Sequence, residues 1–372
     1  MRRLTKIAAV VCLATLSLAA CGNSDSGSEA SGSTKTDEDI CKTATGDGPK
    51  IGVAYDVGGR GDQSFNDSAY AGLKKVVEET SGTCVEAEAG TDENDTTRAD
   101  RLRTLADQGF NPVIAVGFIY SPAAAEVAKD YPDTNFAVID GYTACIQDAS
   151  CAPKKPLANL SDLTFAENEG SFLVGVAAGL KTESNTVGFV GGTHGFLIKK
   201  FEAGYTAGVE AVNPDAKVLV TYLTEDESDG KTGFENPSGG KTAAEGELDK
   251  GADIIYHAAG KSGLGVFQAV TAAGDGKWAI GVDSDQYLTA SADEQPHILT
   301  SMLKRIDTAV YDYVKASAAG NPPVPGIVYD LKADGVGYST SGGFVDDISG
   351  EIDGYADKIK SGELEVPLQP AS

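Results

Sequence analysis

The segment GGRGDQSFNDSAY, residues 58–70, places acidic, amide and aromatic side chains close together in the chain. It follows the short apolar run IGVAYDV at 51–57, which is typical of a strand buried on both faces. Open α/β sheets bind ligands at the carboxyl ends of such strands. Asp62 offers an acceptor and Asn66 a mixed donor and acceptor, which is the chemistry that reads the edge of a nucleobase. The same two side chains could instead cap or brace the loop.

A helix is predicted directly after this loop, with Ser64 as its capping residue and Asp67 three residues on. Phe65 then lies in the first turn, at the rim of the sheet. A second apolar run ending in glycines, NTVGFVGG at 185–192, is also followed by a helix with an aromatic residue, Phe201. Two such rings facing each other would sandwich a flat ligand, and stacking contributes about 1–3 kcal/mol per ring. Both rings also fit a role as core residues of their helices.

A third candidate residue, Asp283, ends the apolar run KWAIGVDS at 277–284. A carboxylate at a strand end can accept hydrogen bonds from two vicinal hydroxyls, as an acidic residue does with a ribose in dinucleotide-binding folds. A helix or turn cap is the alternative role for this residue.

Motifs for phosphate binding and hydrolysis fail on inspection. GKT at 230–232, GKT at 240–242 and GKS at 260–262 all lack the glycine that a phosphate-binding loop requires five residues earlier. The chain also has no G-x-S-x-G and no H-E-x-x-H motif. We therefore expect neither nucleotide phosphates nor these hydrolytic chemistries.

Short apolar runs alternate with helical periodicity from residue 50 onward, and the pattern starts again near residue 185. This predicts two similar doubly wound α/β lobes of about 100–130 residues, a normal domain size. The predicted strands are 51–57, 84–89, 112–118, 135–140, 160–165, 185–192, 217–223, 252–258, 277–284, 297–303 and 326–331. The predicted helices lie near 65–79, 95–108, 121–130, 196–212, 241–249, 264–273, 304–318 and 351–361.

The last part of the chain holds two further strand–helix units, which are most simply shared out as one to each lobe. The chain then crosses between the lobes several times, as a hinge requires. The predicted division is a signal segment at 1–20, an anchor and tether at 21–48, a first lobe of 49–165 plus 298–322, and a second lobe of 166–297 plus 323–372.

The amino-terminal segment and the overall charge limit the class of protein. The chain has 372 residues and a formal net charge of −25, so a nucleic-acid backbone would repel it. Its basic start, the apolar run at 7–18 and the motif LAAC ending at Cys21 resemble a bacterial lipoprotein signal. This implies cleavage before Cys21 and a diacylglycerol on its sulfur, with an ordinary secretory signal as the alternative. The Ser-, Gly- and acid-rich stretch at 22–39 is typical of a flexible tether.

Four of the six cysteines lie beyond Cys21 and can oxidise outside the cytoplasm, where four cysteines allow three pairings. We favour Cys145 with Cys151, which closes the short loop CIQDASC, and this leaves Cys41 to pair with Cys84. Free buried thiols are the alternative. The three histidines are scattered singly, so we predict no zinc site and no cofactor.

Five motifs together resemble the basic membrane protein family of ABC-transporter substrate-binding lipoproteins, whose characterised members bind purine nucleosides. They are GVAYDVGGRGDQSFNDSAYAGL, AENEGSFLVGVAAGL, KKFEAGYTAGV, AAGKSGLGV and GVDSDQ, and the resemblance extends over residues 49–365. It implies a type I periplasmic-binding-protein fold, with two lobes joined by three crossovers and a nucleoside enclosed between them. It also implies a permease and an ATPase as partners, and no enzyme activity.

The resemblance further implies roles for individual residues in the ligand site. Asp62 and Asn66 would bond the base, Phe65 and Phe201 would sandwich it, and Asp283 would hold the ribose hydroxyls.

On the ribose side, the resemblance adds the Gly260 backbone and Lys304. The motif AAGKSG departs from the family because Lys261 stands where a small residue is common. The contacts of this loop, and with them the range of ligands, are therefore left open.

The sequence as a whole predicts a lipid-anchored receptor on the outer face of the cell membrane that captures a nucleoside by lobe closure. A sugar or signalling-molecule receptor on the same fold is one alternative, since the fold alone does not fix the ligand. A nucleoside-cleaving enzyme is a second alternative, and a structural or adhesive surface protein is a third.

Overall fold

The computed structural model describes residues 39–90, 93–145 and 151–371. The predicted signal segment at 1–20, the predicted anchor Cys21 and most of the predicted tether lie outside these residues. Two six-stranded sheets form the framework of the described chain.

The first sheet combines the strands of the first part of the chain with one strand from near its end, and all its neighbouring strands are parallel. Its strands are β1 (Lys50–Ala54), β2 (Thr83–Ala87), β3 (Val113–Val116), β4 (Phe136–Ile139), β5 (Leu160–Phe165) and β11 (Gly326–Tyr329). They lie in the order β11-β5-β4-β3-β1-β2. β3 and β4 are buried at every residue, as expected for parallel strands covered on both faces.

The second sheet repeats this order with later strands. They are β6 (Thr186–Thr193), β7 (Lys217–Thr224), β8 (Ile254–Ala258), β9 (Trp278–Asp283), β10 (Ile298–Lys304) and β12 (Val336–Tyr338). Their order is β12-β10-β9-β8-β6-β7, and only β12 runs antiparallel to its neighbour. The prediction of two doubly wound α/β halves is confirmed. In each half the strand order reverses beside the first strand, which is where such sheets bind ligands.

Helices cover the faces of the two sheets. They are α1 (Ile40–Thr43), α2 (Phe65–Thr80), α3 (Asp95–Asp107), α4 (Ser121–Val127), α5 (Glu167–Lys181), α6 (Phe196–Val212), α7 (Gly230–Phe234), α8 (Pro237–Leu248), α9 (Gly263–Ala273), α10 (Ile306–Ala318) and α11 (Ser349–Ser361). The predicted α6 agrees with the structure at both ends, and the predicted α2 at its start.

The predicted lobe division is wrong for two strands. β10 lies in the block 298–322 that we assigned to the first lobe, but it pairs with β9 and β12 in the second sheet. β11 lies in the block 323–372 assigned to the second lobe, but it pairs with β5 in the first sheet. The physical reason is that the chain crosses between β10 and α10, so that α10 packs against α2 on the first sheet. The described chain thus passes between the sheets three times, after β5, β10 and β11.

Helix α5 is missing from the predicted elements. Its sequence ENEGSFLVGVAAGLK is apolar around most of its circumference, so it shows no amphipathic period. Its glycines also argue against a helix. The structure explains them, because a Cβ on Gly175 or Gly208 would come within 2.1–2.2 Å of a backbone oxygen of the facing helix. Glycine thus lets α5 and α6 pack backbone to backbone.

Two disulfide bonds join the cysteines in the arrangement that the sequence favours. Cys41 pairs with Cys84 at a Cα–Cα distance of 4.8 Å, and Cys145 pairs with Cys151 at 5.7 Å. The first bond fixes α1 to β2, the edge strand of the first sheet. The described chain therefore starts from a point that is covalently held to this sheet.

Candidate functional site

A cavity of about 580 Å³, counting the space that opens to solvent, lies between the two sheets. All seven residues that the sequence analysis singles out as ligand contacts line this one cavity. They are Asp62, Phe65, Asn66, Phe201, Gly260, Asp283 and Lys304. The fold therefore brings together side chains from distant parts of the chain, and both sheets contribute.

Asp62 braces the loop that begins the first wall of the cavity. Its Oδ1 accepts from the backbone N–H of Ser64 at 3.0 Å and of Asp67 at 3.1 Å. Its Oδ2 accepts from the backbone N–H of Asn66 at 2.8 Å and from the Asn66 amide at 3.1 Å. Burial raises the pKa of this carboxyl to about 6. These hydrogen bonds give Asp62 the loop-bracing role, one of the two roles that the sequence allowed for it.

Ser64 does not cap α2 in the predicted way. It occupies the capping position, but its side chain makes no hydrogen bond to the helix. Asp62 satisfies the first N–H groups of the helix instead. The Ser64 hydroxyl lies 2.6 Å from Asp283 Oδ2, on the second sheet. The prediction is wrong because the Asp62 carboxylate accepts from the N–H groups of Asn66 and Asp67, which a capping hydroxyl would otherwise accept from.

Asn66 and the two phenylalanines present complementary groups to the cavity. The Asn66 side chain is buried, and its Oδ1 has no hydrogen-bond partner among the described residues. Phe201 is 3% exposed, and Phe65 is half-buried. The Lys304 Nζ lies 5.3 Å from the ring centroid of Phe65 and 5.5 Å from that of Phe201. Rings from both halves thus lie around one ammonium group, as expected for cation–π contacts.

Lys304 belongs to a buried cluster of charges at the end of β10. Its Nζ lies 2.6 Å from Asp140 Oδ2 and 3.1 Å from Glu167 Oε1, and Lys200 pairs with the other oxygen of Glu167. Burial raises the pKa of Asp140 to about 7, although Lys304 acts to lower it. Burial alone would lower the pKa of Lys304, but the carboxylates of Asp140 and Glu167 raise it. This cluster joins residues of both sheets.

Asp283 ends β9 with a backbone φ of 63°, in the left-handed region that aspartate and asparagine tolerate. Its carboxyl is 7% exposed and lines the cavity. Burial raises its pKa, while Lys304 and the Ser64 hydroxyl act to lower it. Among the described residues, this side chain makes no hydrogen bond that caps a turn, which was the alternative role. Its observed hydrogen-bond donor is the Ser64 hydroxyl.

Gly260 and Lys261 form part of the mouth of the cavity. Gly260 has a φ of 51°, which suits glycine. The Lys261 Nζ lies 3.5 Å from the Gly58 carbonyl oxygen on the first half. The residue that departs from the family pattern therefore reaches across the opening.

The residues of the cavity wall that the sequence analysis missed include Asp56, Asp140, Phe118 and Phe234. Asp140 directly follows β4 and Asp56 lies two residues after β1, so the strand-end rule that singled out Asp283 would have found them. Burial raises the pKa of Asp56 to about 6. Phe118 and Phe234 come from opposite halves and make an edge-to-face contact at 6.4 Å. Nothing in the local sequence of either phenylalanine predicts this contact.

The residues that the structure describes offer little for metal binding or membrane crossing. The one group of potential metal ligands there is Asp39, Cys41 and Glu86. The Cys41 sulfur is in a disulfide, so it offers no thiolate. In the same part of the chain, we find no helix with the length and apolar character needed to cross a membrane.

Comparison with known proteins adds independent information. The family model for "ABC transporter substrate-binding protein PnrA-like" matches residues 49–369. The chain is 35% identical to a CD4+ T-cell-stimulating antigen of Listeria innocua, over 95% of each chain. It is 30% identical to the ABC transporter nucleoside-binding protein BmpA of Lactococcus lactis subsp. cremoris, over 98% of this chain and 99% of that one.

A solved structure supports the same grouping. A solute-binding protein of an ABC transporter system from Aeropyrum pernix K1 superimposes with a TM-score of 0.71 at 26% identity, covering 86% of this chain and 94% of that one. The two sheets, their shared strand order and the three crossings agree with a type I periplasmic-binding-protein fold. Such proteins bind a solute between two lobes for a permease and its ATPase. The chain belongs to the PnrA-like family of ABC transporter substrate-binding proteins.

Proposed function

We propose that this protein captures a purine nucleoside between its two sheets and delivers it to a membrane permease. The observation that carries the proposal is the composition of the cavity. Aromatic rings from both halves, a buried amide oxygen with no partner among the described residues and a strand-end carboxylate all line one cavity.

The base would lie between Phe65 and Phe201. A ring contributes about 1–3 kcal/mol by stacking on a base. Asn66 supports this placement, because its unpartnered Oδ1 can accept a hydrogen bond from an N–H group on the base edge. Asp62 contributes indirectly, since its four hydrogen bonds hold Asn66 and the loop in place.

The sugar would lie toward Asp283 and Lys304. A carboxylate at a strand end suits two vicinal hydroxyls. The charges of the wall favour a neutral ligand over a phosphorylated one. Four carboxyl groups line the cavity against two ammonium groups, those of Lys261 and Lys304, and Lys304 is already paired with Asp140. We therefore expect inosine to bind much more tightly than its 5′-monophosphate. The Lactococcus lactis relative is a nucleoside-binding protein, which agrees with the proposal.

Thermal unfolding with a panel of ligands tests the proposal. The protein from Asp39 onward forms one compact unit and is suitable once co-purified ligand has been removed. A ligand at a hundredfold excess over its Kd stabilises the fold by about 2.7 kcal/mol, which raises Tm by several degrees. We expect this shift with inosine, guanosine or adenosine, and none with ribose or with the monophosphate. A shift with a sugar and with no nucleoside would refute the proposal and favour a sugar receptor.

We further propose that Cys21 carries the lipid that anchors the protein to the outer face of the membrane. The motif LAAC and the apolar run before it support this. Metabolic labelling with an alkyne fatty acid should mark the wild-type protein and leave Cys21→Ser unlabelled. Equal labelling of both would refute lipidation at this residue.

A further inference from the structure

The loop containing Ser64 touches the second half of the molecule at the back of the cavity. Ser64 is fully buried, and its Oγ lies 2.6 Å from Asp283 Oδ2 and 3.3 Å from the carbonyl oxygen of Val282. In return, the Ser284 hydroxyl donates to the Ser64 carbonyl oxygen at 3.0 Å. A serine hydroxyl has one proton, and the charged carboxylate is both the nearer and the stronger acceptor. The Ser64 hydroxyl therefore donates its proton to Asp283.

This bond joins the two halves at the residue proposed to hold the sugar hydroxyls. Ser64 lies at the start of α2 on the first sheet, whereas Asp283 ends β9 in the second. When the halves of a binding protein move apart about a hinge, a contact of this kind is broken. The bond therefore belongs to the arrangement of the two halves described here.

We propose that Ser64 is a positioning residue, whose hydroxyl orients the Asp283 carboxylate and links closure of the two halves to recognition of the vicinal hydroxyls of the ligand. The proposal rests on the proposed function, since it deepens the role of the sugar end of that site. Ser64 acts through Asp283 and makes no contact with the ligand itself.

The electrostatics around Asp283 explain why it needs this donor. The charged or titratable groups that act on it are Lys304, Glu167, Asp140 and Tyr256. Lys304 favours the ionised carboxylate, while burial and the two neighbouring carboxyl groups oppose it. Lys304 also serves Asp140 and Glu167, so the Ser64 hydroxyl is a donor that Asp283 does not share with them. An ionised, oriented carboxylate is the form that accepts from two hydroxyls.

Binding measured by calorimetry with two ligands tests the proposal. We expect Ser64→Ala to weaken inosine binding about tenfold, as befits a hydrogen bond to a charged group. It should weaken 2′,3′-dideoxyinosine binding clearly less than inosine binding, because that ligand lacks the hydroxyls that Asp283 would hold. Ser64→Cys keeps the shape of the side chain but has a weaker donor, so its affinity for inosine should lie between those of the wild type and Ser64→Ala. Ser68→Ala, a buried serine on the same helix that lines no part of the cavity, is the matched control.

The pH dependence separates positioning from a merely structural role. Ser64 stabilises the ionised form of Asp283, so its removal raises the pKa of this carboxyl. The pH below which inosine affinity falls should therefore move upward in Ser64→Ala and not in Ser68→Ala. Equal weakening of both ligands, or an unchanged pH midpoint, would overturn the proposal.

A ligand-free measurement keeps this test separate from the proposed function. If the wild-type protein binds no nucleoside, the proposed function fails, and the unfolding free energy still tests Ser64. The stability lost in Ser64→Ala should be larger near pH 8 than near pH 5, because the hydrogen bond is worth most to the ionised carboxylate. It should disappear in an Asp283→Asn background. A loss that is independent of pH, or that persists in that background, would overturn the role of Ser64.

Discussion

Replacing Lys304 by methionine tests whether one buried ammonium holds the charge cluster of the cavity together. Lys304 is 2% exposed, with its Nζ at 2.6 Å from Asp140 Oδ2 and 3.1 Å from Glu167 Oε1. Methionine keeps much of the length of the side chain but removes the charge. Removing one partner of a buried ion pair costs about 3–5 kcal/mol, because the other partner is left buried without compensation. We expect the unfolding free energy of the ligand-free protein to fall by this amount.

The loss should grow as the pH rises. Burial already raises the pKa of Asp140 to about 7 in the presence of Lys304, from an ordinary value of 3.8. Without the ammonium the pKa rises further, so above pH 7 the wild-type protein ionises Asp140 while the variant keeps it protonated. An acid whose pKa is raised by folding destabilises the fold as pH rises toward that pKa, by about 1.4 kcal/mol per pH unit. The variant should therefore lose more stability near pH 8.5 than near pH 7.

Urea unfolding followed by circular dichroism at several pH values measures both effects. Lys315→Met, on the exposed side of α10, is the control and should change stability by no more than about 0.5 kcal/mol. Adding Asp140→Asn to Lys304→Met should restore part of the lost stability, because no uncompensated charge then remains at that position. A loss that is the same at every pH, together with no recovery in the double variant, would refute this account of the cluster.

Two further predictions concern the second half of the molecule. Phe201→Ala should weaken inosine binding at least about tenfold in calorimetry, because a stacking ring is lost. Phe267 is a buried phenylalanine outside the cavity, so Phe267→Ala is the control and should lower Tm without changing the affinity. Glu247 is fully buried, and burial raises its pKa from 4.5 to about 8, so its ionisation opposes folding as pH rises through this window. Relative to wild type, Glu247→Gln should therefore gain about 2 kcal/mol or more of unfolding free energy between pH 5 and pH 8; the exposed Glu245→Gln should show no such trend in the same urea titrations.

The sheets were predictable from the sequence because their signal is local. A strand buried on both faces is a short apolar run, and β5 spans 160–165 in both the prediction and the structure. Helix α5 had no such signal, since its glycines serve contacts with α6 that lie outside its own sequence. The assignment of β10 and β11 to sheets also depends on pairing with distant strands. Periodicity carries no information about such pairing.

The cavity residues also differ in whether a local sequence pattern could identify them. Asp62, Phe65 and Asn66 could be singled out because a strand, a glycine-rich loop and a helix start follow one another directly in the chain. Asp56 and Asp140 had the same strand-end signal and were overlooked. Phe118 and Phe234 had none, because their contact joins the two halves.

Ser64 shows why the contacts between the halves are the part that sequence patterns describe least well. A capping rule considers only the neighbours of a residue along the chain, and by that rule Ser64 belongs to its helix. Its actual acceptor, Asp283, lies 219 positions away. In a protein that works by closing two halves, the contacts made on closure necessarily join distant segments. Cavity-lining groups beside a strand end, such as Asp62 and Asn66, can therefore be recognised from local patterns. Groups that join the two halves, such as Ser64 and Asp283, become visible as a pair only once the two sheets have been placed face to face.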